Sequence, residues 1–400
     1  MNRDLVLYWN EKAAQMLDFH SNPGSDARRM AIIHIGIHDA LNSIKKKYDR
    51  YAFYGPLDSG ASPEAAVNAA AKKMLLWARD EVGTSNNQIP STAQIIQWYD
   101  SKMIELQNNP KKERGRQIGE DAADGIIQKR KNDGHKDITP ISANPPDGTL
   151  PGEFKADYYD APPPPRNKFM TDFAMKVIPF VLNPLDLGQF TQPLVSLVPS
   201  SVDLEEVKEK STLNYITNSL SPAQKSVIEK WGNNTDYLNL RQHIIWNNFT
   251  IEIIKKQNPS FNAWDTARLL ALIHTAMADG TISMFKDVYT HYRWRPVTAI
   301  KSIYNTNWAS FLPTPRVPEY PSLFGIAGGA TGAILKEVFS NNINISYESI
   351  PYTSIDQAVQ DNAETKIYCG WNFRDTINPS INQGKAIGEF VYNKAFKKKS

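Results

Sequence analysis

The chain has 400 residues, 41% of them hydrophobic, with 45 basic and 42 acidic side chains and a formal net charge of +3. Such a length buries about three quarters of the unfolded surface, enough for one large core or two fused ones, and charge spread this evenly builds no face for nucleic acid. A single cysteine, Cys369, excludes an internal disulfide and a cysteine-rich metal cluster and fits a reducing compartment.

The opening "MNRDLVLYWNEKAAQML" carries Arg3, Asp4, Glu11 and Lys12 and lacks the apolar stretch of a signal peptide. No run of about 18 apolar residues follows, so a cytoplasmic chain without a membrane span is expected. Helical patterns then dominate. Ser25 to Ile44 has an N-cap in Ser25 or Asp26 and is apolar almost all round from Met30 to Ile37, as a buried central helix would be. Ser62 to Val82 opens on Ser62, Pro63 and Glu64, a good helix start. Further helices are expected at Ser91 to Gln107, Lys111 to Lys131, Leu204 to Asn218, Ser221 to Trp231, Leu238 to Gln257 and Ala263 to Met284, then at Ser322 to Phe339, Ser354 to Tyr368 and Pro379 to Phe396. Very little reads as strand. Between Ile138 and Phe169 the pattern gives way to a proline-rich and aromatic stretch, read as an ordered extended connection over the surface. The expectation is one all-α domain over residues 1–400 made of two packed helical bundles: a half at 1–137, a connection at 138–170 and a second half at 171–400.

Three segments of the second half belong together: "ADGTISMFKDVYTHYRWRPVTAI", "WASFLPTPRVPEYPSLFGIAGGATGAIL" and "NAETKIYCGWNFRDTINPSINQGKAIG". In this order and spacing they resemble the vanadium-dependent haloperoxidases and type 2 phosphatidic acid phosphatases, and upstream segments such as "AIIHIGIHDALNSI" are similar to the bacterial members. The resemblance implies a helical-bundle fold with an anion pocket. There a lysine and two arginines neutralise vanadate or phosphate, a serine hydroxyl and a glycine N–H bond it, one histidine binds vanadium or attacks phosphorus, and a second is acid and base.

Carried onto this sequence, the resemblance keeps Arg295, Pro296, Pro321, Ser322 and Gly370. It finds Val288 for the lysine, Leu323 for the glycine, Phe324 for the acid-base histidine, Thr365 and Lys366 for Ser-Arg, and Asn372 for the essential histidine. Lys286 lies about 200° around a helix from Val288 and does not replace it. An amide is a poor nucleophile and a poor vanadium ligand, so vanadate is not expected as a cofactor.

The polar set left for catalysis is Arg295, Ser322, Lys366 and Asn372. Val288, Leu323, Phe324, Trp371, Phe285, Trp294 and His291 are the candidate walls of a substrate pocket. Two cations, a hydroxyl and aromatic faces suit a hydrophobic phosphate or diphosphate, which makes a prenyl diphosphate cyclase or lyase of secondary metabolism one reading. A catalytically inactive paralogue and a peroxidase using His291 are the alternatives. Arg293 is expected to pair at the surface. No acidic run of the terpene-synthase kind is present, so magnesium is left open, as is a homodimer. His34 and His38, one turn apart, read as structural rather than as a metal pair. Glu120, Asp121 and Asp124 read as a solvated face, Cys369 as an inert buried thiol, and "GIAGGATGAIL" as a close helix contact.

Overall fold

The computed structural model describes residues 1–17, 23–83, 88–136, 147–155, 176–211, 220–232, 241–257, 260–310, 314–315 and 317–399. Five helices come first: α1 (Asp4–Leu17), α2 (Pro23–Ile44), α3 (Pro63–Val82), α4 (Thr92–Ile104) and α5 (Pro110–Arg130). Then follow α6 (Ser201–Lys210), α7 (Pro222–Gly232), α8 (Gln242–Gln257), α9 (Ala263–His291), α10 (Pro296–Tyr304) and α11 (Leu323–Phe339). A two-stranded antiparallel hairpin, β1 (Asn342–Tyr347) and β2 (Ile350–Ser354), precedes α12 (Ile355–Tyr368) and α13 (Arg374–Lys394). The all-α expectation holds, with that hairpin as the exception.

Helices α2, α3 and α5 pack as one bundle and α9, α11 and α13 as another, joined where α2 packs on α9. Every residue of α2 from Asp26 to Ile44 is buried, as its all-round apolar pattern requires. At the junction the rings of His34 and His274 stack at 4.7 Å and 9°. Burial holds the His34 imidazole down at about 3, so the ring serves as a neutral plate in the core. Five residues after each of these histidines stands an aspartate that anchors a strap of chain. Asp39 accepts the backbone N–H groups of Tyr51, Ala52 and Phe53, and Asp279 those of Phe180, Val181 and Leu182. The Tyr51 hydroxyl donates to the Phe180 carbonyl at 2.8 Å and ties the two straps together.

Glycine sets the spacing inside both bundles. A Cβ at Gly115 or Gly119 of α5 would meet the Ser62 or Ala66 carbonyl of α3 at 2.2 Å, and one at Gly329 of α11 would meet the Ile381 carbonyl of α13 at 2.2 Å. The close-contact reading of "GIAGGATGAIL" is therefore right.

Some boundaries move. Helix α9 runs past the expected end at Met284 to His291, started by a full capping box between Asn262 and Asp265. Helix α13 begins at Arg374, with Pro379 inside it. Leu204 to Asn218 and Leu238 to Gln257 lie partly outside the described residues, as does most of the connection from Ile138 to Phe169. Its described part, 147–155, is mostly exposed or half-buried and is pinned at two points: Phe154 is fully buried with its N–H donating to the Tyr292 carbonyl, and the Trp294 N–H donates to the Gly152 carbonyl. Among the described residues no helix is long and apolar enough to cross a membrane.

Candidate functional site

The site forms at the C-terminal end of α9. Tyr292 stops the helix in the left-handed region (φ 52°), Arg293 and Trp294 run on extended beside 152–154, and Pro296 starts α10 with Arg295 at the N-cap position. This is the first-turn proline expected from the sequence. Arg295 donates from Nε to the Val317 carbonyl at 2.7 Å and from Nη1 to the Trp371 carbonyl at 2.8 Å. Ser322 precedes α11; its N–H is taken by the Ser380 hydroxyl and its own hydroxyl reaches Asn372 Oδ1 at 3.4 Å. Gly370 closes α12 at φ +81°, where an added Cβ would lie 2.6 Å from the Ser310 side chain. That turn folds the N–H groups of Trp371 and Asn372 back onto the Lys366 carbonyl and sets Trp371 beside Lys366.

Three helix N-termini meet here without a side-chain cap: α10 at Arg295, α11 at Ser322 and α13 at Phe373. In the first turn of α11 the N–H groups of Leu323 and Phe324 meet no acceptor among the described residues. Uncapped helix starts expose partial positive charge and unpaired donors, the elements of an anion site.

Seven of the residues expected from the sequence line one cavity: Val288, Arg295, Ser322, Leu323, Phe324, Trp371 and Asn372. To the centre of a water molecule the cavity measures ≈ 20 Å³. On that measure a water needs about 10–15 Å³, so the space as it stands holds about one water. Pro321, kept by the resemblance, also lines it; Met284, Pro315, Val317 and Pro318 complete the wall and were not foreseen. Phe285, Trp294 and His291 do not line it: Phe285 lies against Tyr289, Trp294 is buried under 152–154, and His291 stacks on Tyr320 at 5.2 Å from the last turn of α9. Because α9 runs on through His291, the ring is held on the helix and outside the cavity that the peroxidase alternative needs it to enter. No histidine is among the described residues that line the cavity.

Lys366 stands one step back. Its side chain is fully buried, its Nζ has no hydrogen-bond partner among the described residues, and the ammonium lies 3.7 Å from the Phe324 ring centroid and 4.9 Å from that of Trp371. Both rings line the cavity, and their faces are what attracts the cation there. Burial drives the Lys366 amine down to about 8 and the neighbouring Cys369 thiol up, which supports the inert reading of that thiol.

Beneath this wall lies a network that sequence reasoning missed. Glu319, fully buried, accepts from Arg293 Nη1 at 3.1 Å, Asn372 Nδ2 at 2.9 Å, the Phe373 N–H at 3.0 Å and the Thr376 hydroxyl at 2.8 Å. Arg293 is also fully buried and forks onto Asp375 at 2.9 and 2.8 Å, so the expectation of surface pairing is wrong. With residues 152–154 on one side and the Leu197 carbonyl on another, its side chain has nowhere to go but inward. The only sequence signal for Glu319 was an acidic residue in an otherwise prolyl run.

Residues 268–399 match the family model described as the VCPO second helical-bundle domain. The whole chain superposes on the structure titled as the first bacterial vanadium-dependent iodoperoxidase with a TM-score of 0.81 and 22% identity, covering 98% of this chain and 96% of that one. The chain has the vanadium haloperoxidase fold. Apo-type and holo-type structures of bacterial vanadium-dependent chloroperoxidase superpose with TM-scores of 0.72 and 0.71, each at 16% identity, covering 96% and 98% of this chain and 96% and 97% of theirs. No curated protein matches the chain in sequence. The cavity described above lies within the matched segment, at the ends of haloperoxidase-fold helices α9 to α13.

Proposed function

We propose that this haloperoxidase-fold chain has lost vanadate chemistry and that its cavity takes the phosphate or diphosphate head of an apolar molecule. Lys366 carries the reading. A buried ammonium with no acceptor is costly to hold, and an anion entering between Arg295, Ser322 and the free N–H groups of Leu323 and Phe324 would supply the missing partner once the Phe324 ring turns. Vanadate does not fit the residues present. The cavity wall offers no imidazole, and the Asn372 amide is already engaged by Glu319 and Ser322.

The proposal stops at binding. A space of ≈ 20 Å³ holds about one water, so even a phosphate head needs the Phe324 ring to turn, and a prenyl chain folded for cyclisation needs the whole wall to open. Isothermal titration with inorganic phosphate and with geranyl, farnesyl and geranylgeranyl diphosphates tests it. The wild-type chain should release heat with at least one of them and Lys366→Met with none; silence from all four in the wild type ends the reading. A bromination assay with vanadate and peroxide should show no turnover.

A second reading, an inactive paralogue that keeps only the scaffold, is favoured by one observation: Arg295 and Asn372 already bond to protein groups. It expects the same titrations to be flat.

A further inference from the structure

One turn before Lys366 on α12 stands Asn362, also fully buried, and both atoms of its amide, Nδ2 and Oδ1, lack a partner among the described residues. The two residues share a face. Cβ atoms built at Gly328 and Gly332 of α11 would meet Val359 and Ile355, so the side of α12 that carries Ile355, Val359, Asn362 and Lys366 in steps of three and four is the side packed on α11. At the end of this strip lies Phe324, the ring under the Lys366 ammonium, in the uncapped first turn of α11. An unpaired amine, an unpaired amide and a helix N-terminus are thus buried together. Burial lowers the Lys366 amine to about 8, so that about a tenth of it is free base at pH 7. A free amine is a nucleophile. The rings bar it to a hydrated or charged reagent, and the space in front of them holds about one water, whereas a small uncharged molecule enters closed apolar space as xenon does.

We propose that Lys366 is a carbamylation site for carbon dioxide. The Nζ lone pair attacks the carbon, the N–C bond forms as one C–O π pair moves onto oxygen, and the nitrogen releases a proton to solvent water, leaving an N-carboxylate. The new oxygens are the acceptors that the Asn362 amide and the first-turn N–H groups of α11 lack. Their negative charge suits that helix start and the Arg295 guanidinium in the same wall. A cation without a partner becomes a bonded anion. The adduct does not depend on the phosphate reading; the reversed charge would expel a phosphate, and only that consequence rests on it.

The test is chemical trapping. The full chain is equilibrated with isotopically labelled bicarbonate as the source of dissolved carbon dioxide, at about pH 8, where a lysine of ordinary value is almost all protonated. It is then ethylated with triethyloxonium ion, digested and read by mass spectrometry, with a short free-amine peptide in the same tube as the trapping standard. Lys366 should carry the labelled ethyl carbamate about a hundredfold more often than an exposed lysine, because its free base is that much more abundant. Asn362→Leu keeps the lysine and removes the amide donor, and should lower the trapped fraction about tenfold. Lys366→Met should abolish the adduct while the circular dichroism of the fold is unchanged. A trapped standard beside an unmodified Lys366, or equal trapping in the wild type and Asn362→Leu, would overturn the proposal; phosphate plays no part in the readout, so the two readings fail separately.

Discussion

The bundle of α2, α3 and α5 and the bundle of α9, α11 and α13 share one plan and part company at one end. Each long central helix carries a stacked histidine and, five residues on, an aspartate holding three backbone N–H groups. Each bundle closes by glycine against carbonyl. After the shared aspartate, however, α2 ends within five residues at Ile44, whereas α9 continues for twelve to His291 and so carries Met284 and Val288 to the cavity. The helices that follow differ in the same direction. In the first bundle Ser62 caps α3 through the Ala65 N–H and Asn109 caps α5 through those of Lys111 and Lys112; in the second, Ser322 and Phe373 cap nothing. Polar side chains finish α3 and α5 in the first bundle; in the second, the capping box starts α9 but α11 and α13 begin without a side-chain cap, near the cavity. Unspent donors are what a binding site is made from.

The comparison breaks most visibly at Glu319. Glu319→Gln removes one of the two carboxylates on buried Arg293 and leaves the Asp375 fork, so urea denaturation should show a loss of about 3 kcal/mol; a loss under about 1 kcal/mol would mean that the network is not what holds the second bundle's open end.

Lys366 should act in the opposite sense. Lys366→Met removes a buried charge without a partner and should raise stability at neutral pH by about 2 kcal/mol. Sign and window follow from the amine's low value in the fold: between about 8 and its ordinary 10.5 the unfolded chain binds the proton and the folded chain does not. Wild-type stability should therefore rise with pH across that window relative to the methionine variant, and parallel pH profiles would refute the buried, unpaired amine.

The two serines sharpen the contrast at smaller scale. Ser62→Ala should cost about 1 kcal/mol as a lost N-cap, whereas Ser322→Ala should cost less than about 0.5 kcal/mol yet weaken anion binding. Thermal melts together with phosphate titration would decide this, and equal melting losses would erase the distinction between finished and unfinished ends.

The smallest effect belongs to the far end of the first bundle. His135 bonds Asp133 at 2.7 Å and Glu81 at 2.9 Å. Burial alone would lower its imidazole, but the two carboxylates outweigh it and hold the value above 6.5. This stabilisation is complete below pH 6.5 and disappears as pH rises through the elevated value; for a partly exposed group it should stay below about 1 kcal/mol. His135→Gln should flatten that part of the stability profile, and an unchanged slope would show that the histidine is a spectator.

Much of this architecture was legible in the chain. The period of the apolar residues marks the helices, the all-round apolar run marks α2 as central, and Arg-Pro marks the start of α10, because propensity, capping and patterning act over a few neighbouring residues. The wall positions Val288, Ser322, Leu323, Phe324, Trp371 and Asn372 were found because short motifs keep their order. Arg293 was misplaced and Glu319 overlooked for the opposite reason: nothing in either residue's own neighbourhood says that they will meet across 26 positions of sequence.

The sequence by itself determined which residues become helix and which side chains stand at the helix ends. Only the tertiary structure decided that three uncapped ends converge, that Lys366 is sealed behind two rings, and that Glu319 gathers four donors. Local pattern governs contacts within a turn or two of helix, while burial, desolvation and the pairing of distant charges exist only once the bundles close.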